Sequence, residues 1–119
     1  MSIEHDIASV ESDIENVKKA IRRMETFEKL TSTPEWKELI EDGYLRDEAA
    51  RVVRLKGDIQ MRMAGEVQMQ WLEDMLTGIG AFEQYLNFIR QAGNAAKQQL
   101  EQHEETREHL LAEQLGGEQ

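Results

Sequence analysis

The stretch IEHDIASVESDIENVKKAIRRM, residues 3–24, decides the fold of this 119-residue chain. Its apolar residues are spaced alternately by four and three positions: Ile3, Ile7, Val10, Ile14, Val17, Ile21 and Met24. This heptad spacing keeps one apolar stripe of an α-helix facing a partner helix. The residues between are mostly charged or small, so the stripe would be left in water without that partner. The pattern therefore predicts a helix over residues 3–30 that forms one arm of a coiled coil.

A second heptad run begins at Leu72 and continues to Leu110, and it predicts the partner arm over residues 82–113. The seam residues predicted on this arm are Phe82, Leu86, Ile89, Ala96 and Leu100. Gly93 and Ala96 are small residues at adjacent core positions of this run. Such positions let the partner backbone come close or accept a bulky side chain from it.

An antiparallel pairing of the two arms is predicted, because a parallel pairing within one chain needs a long return connection. Residues 31–58 are too well patterned to serve as that connection. We expect Phe27 opposite Phe82 and Ile14 opposite Ala96. Isoleucine-rich core positions do not distinguish an intramolecular pair from a larger bundle, so self-association stays open.

Residues 31–80 are predicted to form a small helical head between the arms. A hydroxyl cap and a proline in residues 32–35 start a helix. That helix is expected to end at Asp42, because Gly43 can supply a left-handed cap. A second helix is expected over residues 44–56.

Asp58 is predicted to cap the final helix, which is expected over residues 59–113. Gly65 lies inside this helix, and a kink or break at residues 78–80 is an alternative to a continuous helix. The chain end, residues 116–119, is predicted to be a disordered tail.

These patterns together predict an all-α fold, an antiparallel coiled-coil helical hairpin with a small helical head between its arms. Residues 1–115 are expected to form a single domain. The composition fits long solvated helices, with 39% hydrophobic and 32% charged residues and one proline. A two-helix seam needs only an apolar stripe, whereas a compact sphere of this size needs a larger apolar share.

The acidity of the chain bears on its partners. Asp and Glu outnumber Lys and Arg by 24 to 14, giving a net charge of −10. This disfavours binding to nucleic acid, which needs a basic face, and to an anionic membrane surface. The acidic N-terminus is unlike an export signal, and the chain has no cysteine. We expect a soluble protein that stays where it is made or is packaged from there.

No residue pattern predicts catalysis or a cofactor. The histidines are His5, His103 and His109, and the last two lie on opposite sides of a helix, so no metal site is expected. The chain lacks a nucleophile elbow and a phosphate-binding glycine loop. We expect a protein that is not an enzyme and takes no small-molecule substrate.

The head is rich in methionine and aromatic residues, which are over-used at adaptable binding surfaces and hot spots. The protein-binding residues predicted from this enrichment are Trp36, Tyr44, Leu45, Met61, Met63, Met69 and Trp71. The alternative is that they fill the core of the head. That core is expected to use Trp36, Leu39, Ile40, Val52, Val53 and Trp71.

Residues 27–58 carry a spacing of aromatic, proline, glycine and arginine residues: Phe27, Leu30, Pro34, Gly43-Tyr44-Leu45, Glu48-Ala49 and Arg51-Val52-Val53-Arg54-Leu55. This segment resembles small, functionally unassigned all-helical proteins of tailed bacteriophages. The resemblance covers about a quarter of the chain and transfers no catalytic residue. It implies a virion component or an assembly protein, located in the virion or in the cytoplasm of a bacterial host.

The function predicted from the sequence is therefore a non-enzymatic structural or assembly role in a phage, through helix-mediated protein–protein contacts or self-association. The alternative is an acidic inhibitor of a host nucleic-acid enzyme or another host factor, which would mimic the charge of DNA. Interleaved basic residues such as Lys18, Lys19, Arg22 and Arg23 count against this alternative.

Overall fold

The computed structural model describes residues 2–117, and within this range it is all-helical, without a β-strand. The elements are α1 (Ile3–Thr31), α2 (Pro34–Trp36), a π-helix (Lys37–Glu48), α3 (Ala49–Lys56), α4 (Ile59–Met63) and α5 (Glu66–Gly117). The predicted all-α helical hairpin is confirmed, with α5 packed along α1.

The chain forms two compact units. The first consists of the described residues up to Phe27 and from Ile89 onward, and it holds the paired arms. The second consists of Glu28–Phe88 and holds the short helices and the beginning of α5.

In the first unit, α1 packs on α5 through four of its seven predicted heptad positions, which are Val10, Ile14, Val17 and Met24. The other three predicted positions are half-buried, and Phe27, outside the predicted set, is also buried. Gly93 and Ala96 are buried on α5. Met24 lies against Gly93, and the guanidinium of Arg90 lies 5.1 Å from the ring centroid of Phe27. From Met24 to Phe27 the chain of α1 runs toward its C-terminus, while the residues they contact, Gly93 and Arg90, run toward the N-terminus of α5. The two helices are therefore antiparallel.

The observed register differs from the predicted one by about one heptad. Phe27 lies beneath Arg90 instead of opposite Phe82. Farther along, Val17 borders the same surface depression as Gln99 and His103. A shift of one heptad returns every core position to an equivalent position, so the spacing alone does not distinguish the two registers. The close approach of Met24 to Gly93 is a contact that distinguishes them.

The helix that begins at Pro34 starts as predicted, because the Thr33 side chain accepts a hydrogen bond of 3.2 Å from the backbone N–H of Trp36. It does not end at Asp42. Within the described residues Gly65 is the glycine with positive φ, so Gly43 is not a left-handed cap. The chain instead passes through the π-helix into α3.

Gly43 has a different role inside the π-helix. In a π-helix each residue bonds to the residue five positions before it. A Cβ atom at Gly43 would lie 2.9 Å from the carbonyl oxygen of Glu38, which is five positions earlier. The glycine therefore permits a backbone approach that a side chain would obstruct.

Asp58 caps a helix as predicted, accepting a 3.1 Å hydrogen bond from the backbone N–H of Met61. That helix is the five-residue α4, and the interruption follows at Gly65, where φ is +111°. The alternative break at residues 78–80 is wrong, because α5 is continuous there. The predicted tail is also partly wrong, since α5 reaches Gly117; residues 118 and 119 lie outside the described residues.

The core of the second unit is smaller than expected. Val52, Leu72 and Ile79 are buried, and the Tyr44 ring packs edge-on against Phe82 with the centroids 5.8 Å apart. The predicted seam residues Phe82 and Leu86 lie in this unit, not in the first. The predicted core residues Leu39, Val53 and Trp71 are exposed. Val53 and Trp71 each adjoin a buried residue, and consecutive helical residues point about 100° apart, whereas the π-helix that contains Leu39 buries no residue completely.

Candidate protein-interaction surface

Exposed apolar side chains are concentrated in the second unit. Eleven large hydrophobic residues of the described chain are exposed, and two of them, Leu111 and Leu115, belong to the first unit. The other nine are Leu30, Leu39, Val53, Ile59, Met63, Val67, Trp71, Tyr85 and Phe88. Single exposed apolar residues are ordinary, but clustered ones mark interaction sites.

Helix α4 presents two of these side chains to solvent. Ile59 is 74% exposed and Met63 is 81% exposed, and their spacing of four places them on one helical face. Met61 is half-buried, and α4 buries none of its five residues completely. The helix is held by the Asp58 cap and by a 3.0 Å hydrogen bond from Arg62 Nε to the carbonyl oxygen of Lys56.

The first turns of α5 carry further exposed apolar side chains. Val67 is 81% exposed, and Trp71, one turn later, is 53% exposed. Both border a shallow depression, whose lining residues are Glu66, Val67, Gln70, Trp71 and Asp74. Gln70 Nε2 donates a 2.9 Å hydrogen bond to Asp74 Oδ1, which orients the carboxylate at the edge of the depression.

The predicted protein-binding residues separate into two groups. Met63 and Trp71 are exposed. The remaining five, which are half-buried, are Trp36, Tyr44, Leu45, Met61 and Met69. Tyr44 contributes to packing through Phe82. The two exposed side chains are accessible to a partner, whereas the five half-buried ones are partly packed within the chain.

Sequence reasoning missed Ile59, Val67, Tyr85 and Phe88 as exposed residues. The signal for three of them was present in α5, where Val67, Tyr85 and Phe88 share the heptad frame of Trp71. The heptad pattern predicts the apolar stripe that contains Leu72 and Phe82. A second stripe, which contains Trp71 and Tyr85 and lies beside the first, follows the same spacing.

The charged side chains of the π-helix and α3 form exposed pairs. Arg46 lies 3.4 Å from Asp42 and 3.1 Å from Asp47, and its pKa is raised by the hydrogen bond to Asp47 and by both negative charges. Glu48 accepts a 3.0 Å hydrogen bond from Arg51 Nε, which holds the pKa of Glu48 below its ordinary value against the opposing effect of burial. These groups form a solvated surface.

Residues 2–117 contain no group of three or more His, Cys, Asp or Glu side chains that could hold a metal ion. None of the helices there is long and apolar enough to cross a membrane. No protein-family model, curated protein or solved structure matches the chain.

Proposed function

We propose that this chain is a non-enzymatic protein that binds another protein through a docking surface made of Ile59, Met63 and Val67. The observation that carries the proposal is their exposure. At 74%, 81% and 81%, they are the three most exposed large hydrophobic side chains of the described residues. All three lie within nine positions of one another, on both sides of Gly65.

The energetics of exposure favour a partner. Complete burial of a side chain of this size contributes about 1.5–3 kcal/mol. Three neighbouring side chains therefore provide a sizeable part of the free energy of a specific contact, although ordering costs reduce it. Methionine adds adaptability, since its unbranched thioether fits irregular partner surfaces.

The partner proposed is a protein with an apolar groove. Three charged residues adjoin the docking surface in sequence, Asp58, Arg62 and Glu66. Two of them are bonded within the chain, since Asp58 accepts from the Met61 N–H and Arg62 donates to the carbonyl oxygen of Lys56. Apolar contacts are therefore proposed to supply most of the affinity. The affinity of such apolar binding changes little with salt concentration. Binding by mimicry of DNA charge, in contrast, weakens steeply as the salt concentration rises.

The context we propose is a phage particle or its assembly, on the resemblance of residues 27–58 to small helical phage proteins. The partner is then another structural protein of the virion or a protein present only during assembly. Mass spectrometry of purified particles and of assembly intermediates tests this context. Absence of the protein from both would contradict it.

The docking surface is tested by affinity purification of the tagged full chain from its native source, with quantitative mass spectrometry. Met63→Glu is expected to abolish recovery of the partner, because it places a charge in the centre of the apolar surface. Leu115→Glu is the matched control, since Leu115 is 65% exposed but lies in the first unit. Equal recovery with both variants, or loss of the partner at high salt, would overturn the proposal.

A further inference from the structure

Helix α5 carries a second apolar stripe beside the one that faces its own core. The core stripe includes the buried residues Leu72 and Ile79. The second stripe is offset by one residue and follows alternating spacings of three and four. Its members, all exposed, are Trp71, Asp74, Gly78, Ala81, Tyr85 and Phe88. We call this set the outer stripe.

The outer stripe is large at both ends and small in its middle. Trp71 lies at one end and Tyr85 and Phe88 lie at the other, with exposures of 53%, 56% and 61%. Gly78 and Ala81 lie between them. This order of large, small and large residues reads the same in both directions. Two antiparallel copies can therefore bring the same surface into contact, as an isologous interface requires.

Gly78 has no packing role within the chain. A Cβ atom there would meet nothing within 4 Å. At the buried Gly93, in contrast, the Met24 side chain fills the corresponding space. Gly80 is equally open but lies outside the outer stripe. Gly78 lies at the centre of the stripe, where the missing side chain permits close approach of a second helix backbone.

The charges around the outer stripe permit two acidic copies to meet. Each chain has a net charge of −10, and two copies repel unless their contact is poor in charge. Residues 71–88, which span the stripe, contain three charged side chains, Glu73, Asp74 and Glu83, or about a sixth of the segment, whereas 32% of the whole chain is charged. Gln70, Thr77 and Gln84, which flank the stripe, are neutral. Depletion of charge is typical of the centre of an interface.

We infer that the outer stripe binds the outer stripe of a second copy of this chain, with the two α5 helices antiparallel. In the heptad frame, Gly78 then lies opposite Ala81 of the other copy, and Trp71 lies opposite Phe88. The twofold axis passes between Gly78 and Ala81, where the backbones come closest. This self-association uses residues other than the docking surface and does not depend on the proposed function.

Asp74 decides between the antiparallel and the parallel arrangement. A parallel pair would place the two Asp74 carboxylates against each other in a desolvated seam, which is unfavourable. The antiparallel pair places Asp74 opposite Tyr85. Because Gln70 already donates to Asp74 Oδ1, the other carboxylate oxygen is available to accept from the Tyr85 hydroxyl.

The area of the outer stripe lies at the lower limit for a specific dimer. An aromatic side chain contributes about 150–250 Å² when fully buried, so three that are 53–61% exposed contribute about 250–430 Å² per copy. With Gly78, Ala81 and the flanking amides, two copies reach about 1,000 Å², the lower bound for a specific interface.

Sedimentation of the full chain over a concentration series tests the inference. The wild-type chain is expected to reach twice the monomer mass, and Ala81→Glu is expected to remain monomeric, because it places a charge where the backbones meet. Val53→Glu is the matched control on an exposed residue outside the stripe and is expected to dimerise. A wild-type chain that stays monomeric to about 1 mM, or an Ala81→Glu variant that dimerises equally, would overturn the inference.

Cysteine cross-linking tests the arrangement, since the chain contains no cysteine of its own. A Gly78→Cys chain is mixed with an Ala81→Cys chain of different mass and oxidised mildly. The antiparallel arrangement predicts the mixed disulfide as the main product. Cross-linking of each variant mainly to itself would show parallel helices and contradict the assignment. Circular dichroism confirms that every variant is as helical as the wild type.

Discussion

Met24 occupies the space that a side chain at position 93 would need. A Cβ atom on Gly93 would lie 2.5 Å from Met24 Sδ and 2.8 Å from Met24 Cγ, and Met24 itself is 1% exposed. A long, buried side chain of α1 thus fits against the smallest residue of α5. This fit distinguishes the observed register from one shifted by a heptad.

Gly93→Ala should destabilise the chain. The added methyl group collides with the buried part of Met24, and overpacking of this kind costs about 1–3 kcal/mol. Gly80→Ala is the control, because a Cβ atom there meets nothing within 4 Å and alanine improves helix propensity by about 1 kcal/mol. Urea denaturation followed by circular dichroism measures both. A Gly93→Ala chain as stable as the wild type would show that Met24 does not pack there.

Gly43→Ala should also destabilise the chain, by about 1–3 kcal/mol, because the new Cβ atom would lie 2.9 Å from the Glu38 carbonyl oxygen in the π-helix. Gly57→Ala is the matched control, since its nearest atom, the Arg54 carbonyl oxygen, is at an ordinary 3.5 Å. Thermal unfolding measures both variants. A gain in stability for Gly43→Ala would indicate an ordinary α-helix over this segment, where alanine is favoured over glycine.

Asp58→Ala should loosen α4, because it removes the acceptor of the 3.1 Å hydrogen bond from the Met61 N–H. Loss of such a cap costs about 1 kcal/mol. Hydrogen exchange of the amides of residues 59–63 should become several times faster. Asp58→Asn keeps a capping oxygen and should exchange nearly as slowly as the wild type. Unchanged exchange in the Asp58→Ala chain would mean that the cap does not hold α4.

Glu48 should titrate below its ordinary pKa of 4.5, because the hydrogen bonds from Arg51 favour the carboxylate, although burial opposes the shift. A depressed folded-state pKa gives a contribution to stability that is present above the unfolded-state pKa and is lost as the pH falls through the folded-state pKa. That loss is therefore expected below pH 4.5. Carbon-detected NMR of the Glu48 carboxyl group measures the midpoint. Arg51→Gln should return it toward the ordinary value; a midpoint that does not move would exclude Arg51 as the cause.

Several features of this protein were determined by local sequence. The spacing of Ile7, Val10 and Ile14 requires a partner helix, because a one-sided apolar stripe is stable only when it is covered. The starts at Pro34 and Asp58 were also predictable, since a capping side chain acts within three residues of itself. Heptad spacing and side-chain capping both act between residues that are close in sequence, so they do not depend on the rest of the chain.

The tertiary structure decided how these local features are combined. The heptads are compatible with registers one repeat apart, and the fit of Met24 against Gly93 selects one of them. Several glycines could have interrupted the helices; Gly65 takes the positive φ, while Gly43 admits a close carbonyl within a π-helix. Helix α5 likewise carries two apolar stripes, and the core of the second unit covers only one of them. Packing buried Leu72 and Ile79 and left the outer stripe exposed, because burial depends on which neighbours arrive from elsewhere in the chain.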